Sequence, residues 1–434
     1  MALGGGNFIR PNKVLPGTYM NFVSAAKVSS RDSLFGIVAL PLSLDWGQSG
    51  VIALTKEDFY DKSFELFGYE IYAPEMLPLR ELFKHAIKAY IVRTNAGQAA
   101  AKASNALATA KYVGTRGNAI TIKVSAEVDA STFKVVTLVG TKTVDTQTGI
   151  ATMADLKTND WVEFNTAATL AANDGSPLIG GTNASATVES WTSALGLLES
   201  KQFNILAIDS ADSDVLSLAI AYTKRMRDEV GNKFQMIAYK TDTSSDYEGV
   251  IDLVSKTDDG TSLVYWAAGL LSASALNSSC TNAKYDGEKV VSTSPTSTEL
   301  ETYLKTGKLA LHTVGDDIRV LEDINSLVTY TDDKSDDFAT NQTVRILDYY
   351  SKTIAALFAG KYLGSIPNDK SGRVSLWNDI VNIKNELLTI RAIDAFDTAD
   401  IAVEEGPTKS AVVVNDNIKP INAMNQLYVT VVVQ

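Results

Sequence analysis

Three aspartates are the residues best placed for chemistry. Asp209 ends the run FNILAID and Asp212 and Asp214 follow it, and carboxylates beyond the carboxyl end of a strand are where open α/β sheets bind ligands or metal. An integrin-type metal site needs Asp-x-Ser-x-Ser, however, and Ala211 stands at the first serine position. The simpler reading is a helix cap, in which Asp212 or Ser213 accepts the free N–H groups of the following helix. TDDKSDD (331–337) has the charge for calcium but lacks the glycine and distal glutamate of an EF-hand loop, so it reads as a solvated acidic linker. VGTRGN (113–118) has two glycines but no Gly-Lys-Ser/Thr, which makes it a turn rather than a phosphate cradle. The chain holds only two histidines, His85 and His312, and neither sits in a nucleophile or zinc motif. Its single cysteine, Cys280, has no histidine beside it in sequence and reads as a small buried hydrophobe. No catalytic residue, metal or cofactor is therefore expected.

The elements that would position these groups alternate. LFGIVALPL reads as a buried strand, KEDFYDKSFELFGY as an amphipathic helix, and LPLRELFKHAIKAYIVRT as a helix running into a strand. Between residues 98 and 189 the composition turns to Thr, Ala, Asn and Gly. Short alternating runs (AITIKVSAEV, FKVVTLVG, WVEFNT) are separated there by turn formers, as in a small all-β unit. Helix and strand then alternate again from WTSALGLLESKQ to SLVYWAAGLLSASAL. After the acidic stretch come two helices, 338–364 and 373–393, the second with Leu376, Ile380, Ile383, Leu387 and Ile390 down one stripe. The expected fold is therefore an α/β (α+β) multi-domain chain. A mixed-sheet body (28–97 and 190–330) carries a β-rich insertion (98–189), followed by a C-terminal α+β domain (331–416) and extended terminal segments (1–27 and 417–434).

Composition narrows the function classes. Acidic residues outnumber basic ones by 51 to 39, a net charge of −12, which repels phosphate backbones and anionic lipid and argues against nucleic-acid binding. No apolar run approaches the length that spans a bilayer, and no secretory leader is expected. A lone cysteine leaves the fold to packing alone, as in a reducing cytosol.

The last residues, LYVTVVVQ, are apolar on both faces: Leu427, Val429, Val431 and Val433 on one, Tyr428, Thr430 and Val432 on the other. Such a strand is either central in its own sheet or completed by another chain through β-augmentation. Burying four of its aliphatic side chains in a partner would contribute about 6–12 kcal/mol before ordering costs, at about 1.5–3 kcal/mol each.

Nine segments in a fixed order carry a family resemblance: GGNFIRPNKVLPGTYMNF, GIVALPLSLDWG, GTRGNAITIKV, LESKQFNILAID, YDGEKVV, VLEDINSLVTYT, TVRILDYY, KYLGSIPNDKSGR and DNIKPINAMNQLYVTVVVQ. Together they make the chain similar to contractile-tail sheath proteins of phages, defective prophages and phage-tail-like bacteriocins of Gram-positive bacteria. The resemblance implies a structural subunit of a virion tail or tail-like particle, assembled in the bacterial host cytoplasm. Such subunits stack as six-fold rings around an inner tube, between a baseplate and a tail terminator, and contract by rigid-body rearrangement. It further implies that terminal strands link neighbouring copies, here through Val14, Leu15, Tyr19, Phe22 and Val23 and through Leu427, Tyr428, Val429, Val431 and Val433. Residues 331–416 would face the tube, with Asp379, Asn382, Lys384, Glu386 and Arg391 as contacts, and 98–189 would face outward. Segments 24–30 and 415–423 would act as hinges. An R-type bacteriocin or defective prophage particle, which kills by puncturing the envelope, is the alternative to genome delivery.

Overall fold

The computed structural model describes residues 35–433 apart from 129–130, 242–244 and 261–262. The expected linking residues Val14 to Val23 and the hinge at 24–30 lie outside the described residues.

The body begins with β1 (Ile37–Leu42), buried along almost its whole length, and β2 (Val51–Thr55), whose alternating exposure marks an edge strand. In α1 (Lys56–Phe67) the Thr55 hydroxyl accepts from the Asp58 N–H at the start, and Gly68 at φ 78° ends the helix. α2 (Leu77–Phe83) leads into β3 (Lys88–Arg93). β3 lies parallel to β1 and antiparallel to β2.

The chain then leaves the sheet for a β unit of β4 (Lys102–Ser104), β5 (Ala108–Val113), β6 (Ile120–Ala126), β7 (Phe133–Val139), β8 (Lys142–Ile150), β9 (Val162–Phe164) and β10 (Asn173–Pro177). These strands form two antiparallel sheets, β4-β5-β9 and β10-β6-β7-β8, around one core. Trp46, from the loop after β1, stacks on Trp161 within that core at 5.4 Å between ring centres. The buried Arg93 at the end of β3 donates to the carbonyls of Gly47, Val113 and Leu44, which ties the unit to its stem.

The body resumes with α3 (Val188–Leu198), β11 (Ile205–Ile208), α4 (Ser213–Arg225), β12 (Gln235–Tyr239), β13 (Val250–Leu253), α5 (Val264–Ala273), α6 (Ser297–Lys305) and β14 (Lys308–Leu309). They complete a seven-stranded sheet in the order β14-β13-β12-β11-β1-β3-β2, parallel except at β2. One face is covered by α3 and α4 through Trp191, Leu195, Val215 and Tyr222, and the other by α2 and α5 through Leu79, Phe83, Trp266 and Leu271. Central strands buried on both faces explain the unbroken apolar runs in the sequence. A hairpin of β15 (Leu311–Val314) and β16 (Asp317–Val320) follows.

The last unit contains α7 (Asn341–Leu357), α8 (Lys370–Thr389) and the antiparallel pair β17 (Ala402–Glu405) and β18 (Val412–Asn415). Leu376, Ile380, Ile383 and Leu387 are the buried stripe of α8, at the spacing the sequence predicts. The first turn of α7 is sunk in the protein: Asn341, Gln342 and Thr343 are at most 2% exposed. Asn341 donates to Asp323 and accepts from Gln235 of β12, and Arg227 grips Asp348 with two bonds of 2.6 and 2.9 Å. The unit is thus anchored to the body by the start of its own first helix. The acidic stretch 331–337 is exposed except for Lys334, which bonds Glu248 at 2.7 Å.

Candidate assembly site

At the sites read from sequence as possible chemistry, side chains serve structural ends. Asp212 caps α4, its carboxylate accepting the Asp214 N–H at 2.9 Å, and Asp209 bonds the buried Tyr265 hydroxyl. Among the described residues no group of three or more His, Cys, Asp or Glu side chains is placed to hold a metal. His85 meets Asp286 at 3.1 Å, edge-on to Trp266. Cys280 is buried, and desolvation, with the Asp323 carboxylate adding to it, pushes its thiol up to about 12.

The feature that stands out is the carboxyl-terminal segment. From Met424 to Val433 the backbone enters no ladder, and Met424, Leu427, Tyr428, Val429, Val431, Val432 and Val433 are 69–101% exposed. The strand expected at 427–433 therefore has no pairing partner among the described residues. Ten residues with this much bare apolar surface are what a docking segment presents, since a soluble chain hides such strands.

The segment expected as a hinge, 415–423, is bonded along its length to the C-terminal unit. The Asp416 carboxylate takes a bond of 2.5 Å from Lys384 and another from the Tyr350 hydroxyl; burial, then the hydrogen bond to Asp416 and its charge, raises the Tyr350 pKa well above its usual value. The Lys384 ammonium also donates to the carbonyl of Asn417 and lies 4.4 Å from the ring centre of Phe396. Further on, Asp394 N–H donates to Lys419, Ile421 N–H donates to Ala392, and Pro420 bridges Ile393. Up to Ala423 the chain is bonded by α7, α8 and the residues just after α8, and beyond it the Asn425 side chain still donates to Glu322 at 3.1 Å.

Lys384 corrects an expectation. It was read as one of five polar residues on a face turned to the tube, yet it is fully buried and spends its charge on Asp416. Helical spacing puts it beside Ile380 and Leu387, so it belongs to the packed stripe; only its chemistry suggested the surface. Asp379 is half-buried and bonds Lys361 and Tyr362. Asn382, Glu386 and Arg391 are exposed, and Arg391 adopts a left-handed backbone at the helix end (φ 59°). Sequence reading missed Gln342 and Asp416, because polar residues flanking an apolar helix read as solvated.

The pair β17–β18 is a two-stranded sheet with no third strand among the described residues. Beside it, a groove of about 500 Å³ is lined by Phe358, Leu363, Ile366, Leu376 and Val412, with Arg373 and Lys409. Among the described residues, one molecule thus carries both an exposed apolar segment that enters no ladder and an open-edged sheet.

Four family models match in succession along the chain. They are the tail sheath protein Gp18 domain III N-terminal region (36–94), the phage tail sheath protein beta-sandwich domain (95–183), the phage tail sheath protein central domain (184–326) and the phage tail sheath C-terminal domain (333–434). The phage-like element PBSX protein XkdK of Bacillus subtilis strain 168 is 30% identical, over 99% of both chains. The crystal structure of the sheath tail protein from Desulfitobacterium hafniense is 31% identical over 95% of this chain and 99% of that one, with a TM-score of 0.81. The helical sheath of the anti-feeding prophage in its contracted state shares the fold at a TM-score of 0.57 and 11% identity, over 97% of this chain and 99% of that one. Matched over nearly its whole length and in every one of its units, the chain belongs to the phage tail sheath protein family.

Proposed function

We propose that the chain is the subunit of a contractile sheath, stacked in six-fold rings around an inner tube. Copies are held in a mesh by carboxyl-terminal arms that pair with a sheet of a neighbouring copy. The observation that carries this reading is the arm itself: apolar on both faces, exposed and in no ladder, in a molecule that also has a two-stranded sheet with no third strand among the described residues. The β17–β18 pair is the acceptor, since backbone ladders supply affinity and the adjoining groove supplies a seat for alternate side chains. Contraction repacks rigid bodies while these links persist; the contracted anti-feeding prophage sheath, alike in fold, supports that reading. Energy stored at assembly drives the tube through a cell envelope, and the subunit serves as a mechanical part rather than an enzyme. Residues 98–189 face outward, while Asn382, Glu386 and Arg391 are the tube contacts and baseplate and terminator bound the polymer.

Removing residues 427–434 tests this. The truncated chain is expected to remain a folded monomer and to fail to build rings or tubes in electron micrographs. Normal polymers from the truncated chain would overturn the link. A second reading, a particle that punctures envelopes without delivering a genome, draws on the likeness to a protein of a phage-like element. DNA-filled heads on purified particles would exclude it.

A further inference from the structure

We propose that Gln342 is the positioning residue of the assembly arm, fixing the point and direction at which the arm leaves the subunit. This rests on the arm being the intersubunit link. Gln342 is 2% exposed in the first turn of α7. Its amide is used completely: the nitrogen donates to the carbonyls of Leu276 (3.2 Å) and Ile421 (3.1 Å), and the oxygen accepts the Ala423 N–H (2.9 Å). A primary amide has two donors and acceptor lone pairs on opposite sides, and here each side meets its complement. Two carbonyls face the nitrogen, so its orientation is set by its surroundings. Glutamate would turn a carboxylate oxygen toward those two carbonyls, and an apolar side chain would give none of the three backbone groups a partner, the Leu276 carbonyl being bonded in the interior.

The geometry imitates a strand. By bonding the carbonyl of residue 421 and the N–H of residue 423, one side chain holds the arm root as a neighbouring β-strand would, without supplying a strand. Beside it, Thr343 and Thr340 meet the Asn422 side chain at 3.0 and 3.4 Å. The next residue, Met424, is fully exposed. The clamp makes the last bond to the arm's backbone among the described residues, and beyond it the Asn425 side chain meets Glu322 at 3.1 Å. Leu276 lies in the body beyond α5, so Gln342 joins body, α7 and arm root at one point. Tension applied to the arm enters α7 there and passes, six residues along the helix, to the Arg227–Asp348 pair.

A fixed exit narrows the volume the free residues explore, which raises the effective concentration of the arm at a neighbour's sheet. Two changes test this. Gln342→Met keeps length and bulk but removes the amide. It is expected to speed hydrogen exchange at Ala423 by about tenfold relative to the Met236 amide of β12, reporting loss of one local bond. Inserting two glycines between residues 423 and 424 leaves the clamp and the body intact but frees the exit. It is expected to leave the monomer's thermal midpoint unchanged and to slow polymerisation by about tenfold. An insertion variant that polymerises at the parent rate overturns the positioning role, as does unchanged exchange at Ala423 in Gln342→Met. If the chain lacking 427–434 also polymerises, the link reading itself fails; if only the insertion variant is normal, the arm links copies without being aimed.

Discussion

At the scale of single residues, the carboxyl-terminal unit depends on one buried ion pair. Lys384 has no exposed surface, and its partner Asp416 is also bonded by Tyr350. Lys384→Ala leaves that carboxylate buried without its cation, a change that costs about 3–5 kcal/mol where such pairs are broken. Denaturant unfolding is expected to show a loss of this size. The double change Lys384→Met with Asp416→Asn should recover much of it, because neither group then carries a charge. A residue whose role was to touch the tube would instead leave the monomer's stability untouched. Cys280 gives a second residue-scale outcome. With its thiol pushed up from 9.0 to about 12, the folded chain holds the neutral form. Ionisation on unfolding begins near 9.0, so the unfolded state binds fewer protons between 9.0 and about 12, and stability falls as pH rises through that window. Lys352, whose ammonium burial draws down from 10.5 to about 8, acts in the opposite sense between those values. The net alkaline loss should therefore set in above about pH 10, seen as a falling midpoint in thermal melts. At pH 8 a thiol reagent should modify the native chain about a thousandfold more slowly than the unfolded one.

At the scale of elements, α2 and α5 pack closely on one face of the sheet. A Cβ placed on Gly269 of α5 would stand 2.4 Å from the carbonyl oxygen of Leu82 in α2. Backbone cannot yield as a flexible side chain does, so Gly269→Ala is expected to cost about 1–3 kcal/mol, read as a lower midpoint in urea. Such a contact was invisible in sequence, where SLVYWAAGLLSASAL showed only an apolar helix. Most elements were legible, however, because their signals are local. FNILAID gave a strand and DVLSLAIAYTKRMRDEVG a helix closed at Gly231, which adopts φ 82°. The stripe on α8 followed its spacing. What failed was non-local: the polar start NQT of α7 is buried because Asp323, Gln235 and the arm root satisfy it, and no periodicity reports the partners a side chain will meet. For the same reason the partners of 415–423, rich in Asn and Asp with one Pro, were not legible: Lys384 and Gln342 bond its two ends.

At the scale of the whole molecule, assembly sets two forces against each other. The arms and their acceptor sheets attract through apolar surface and backbone bonding, which salt scarcely alters. The subunits, each a chain with 51 acidic against 39 basic residues, repel one another at long range. At an ionic strength of about 0.01 M the screening length is about 30 Å, comparable with the subunit, whereas at about 0.15 M it is about 8 Å, less than the width of one helix. Copies approaching to exchange arms must cross this repulsion, so it sits mainly in the association step, while the finished links govern dissociation. Raising salt across that range is thus expected to speed polymerisation of the purified chain, followed by light scattering, and to leave the rate at which preformed polymers shed subunits nearly unchanged. If added salt instead slows growth and hastens shedding, complementary charged patches hold the copies together. The exposed apolar arm would then be secondary to them.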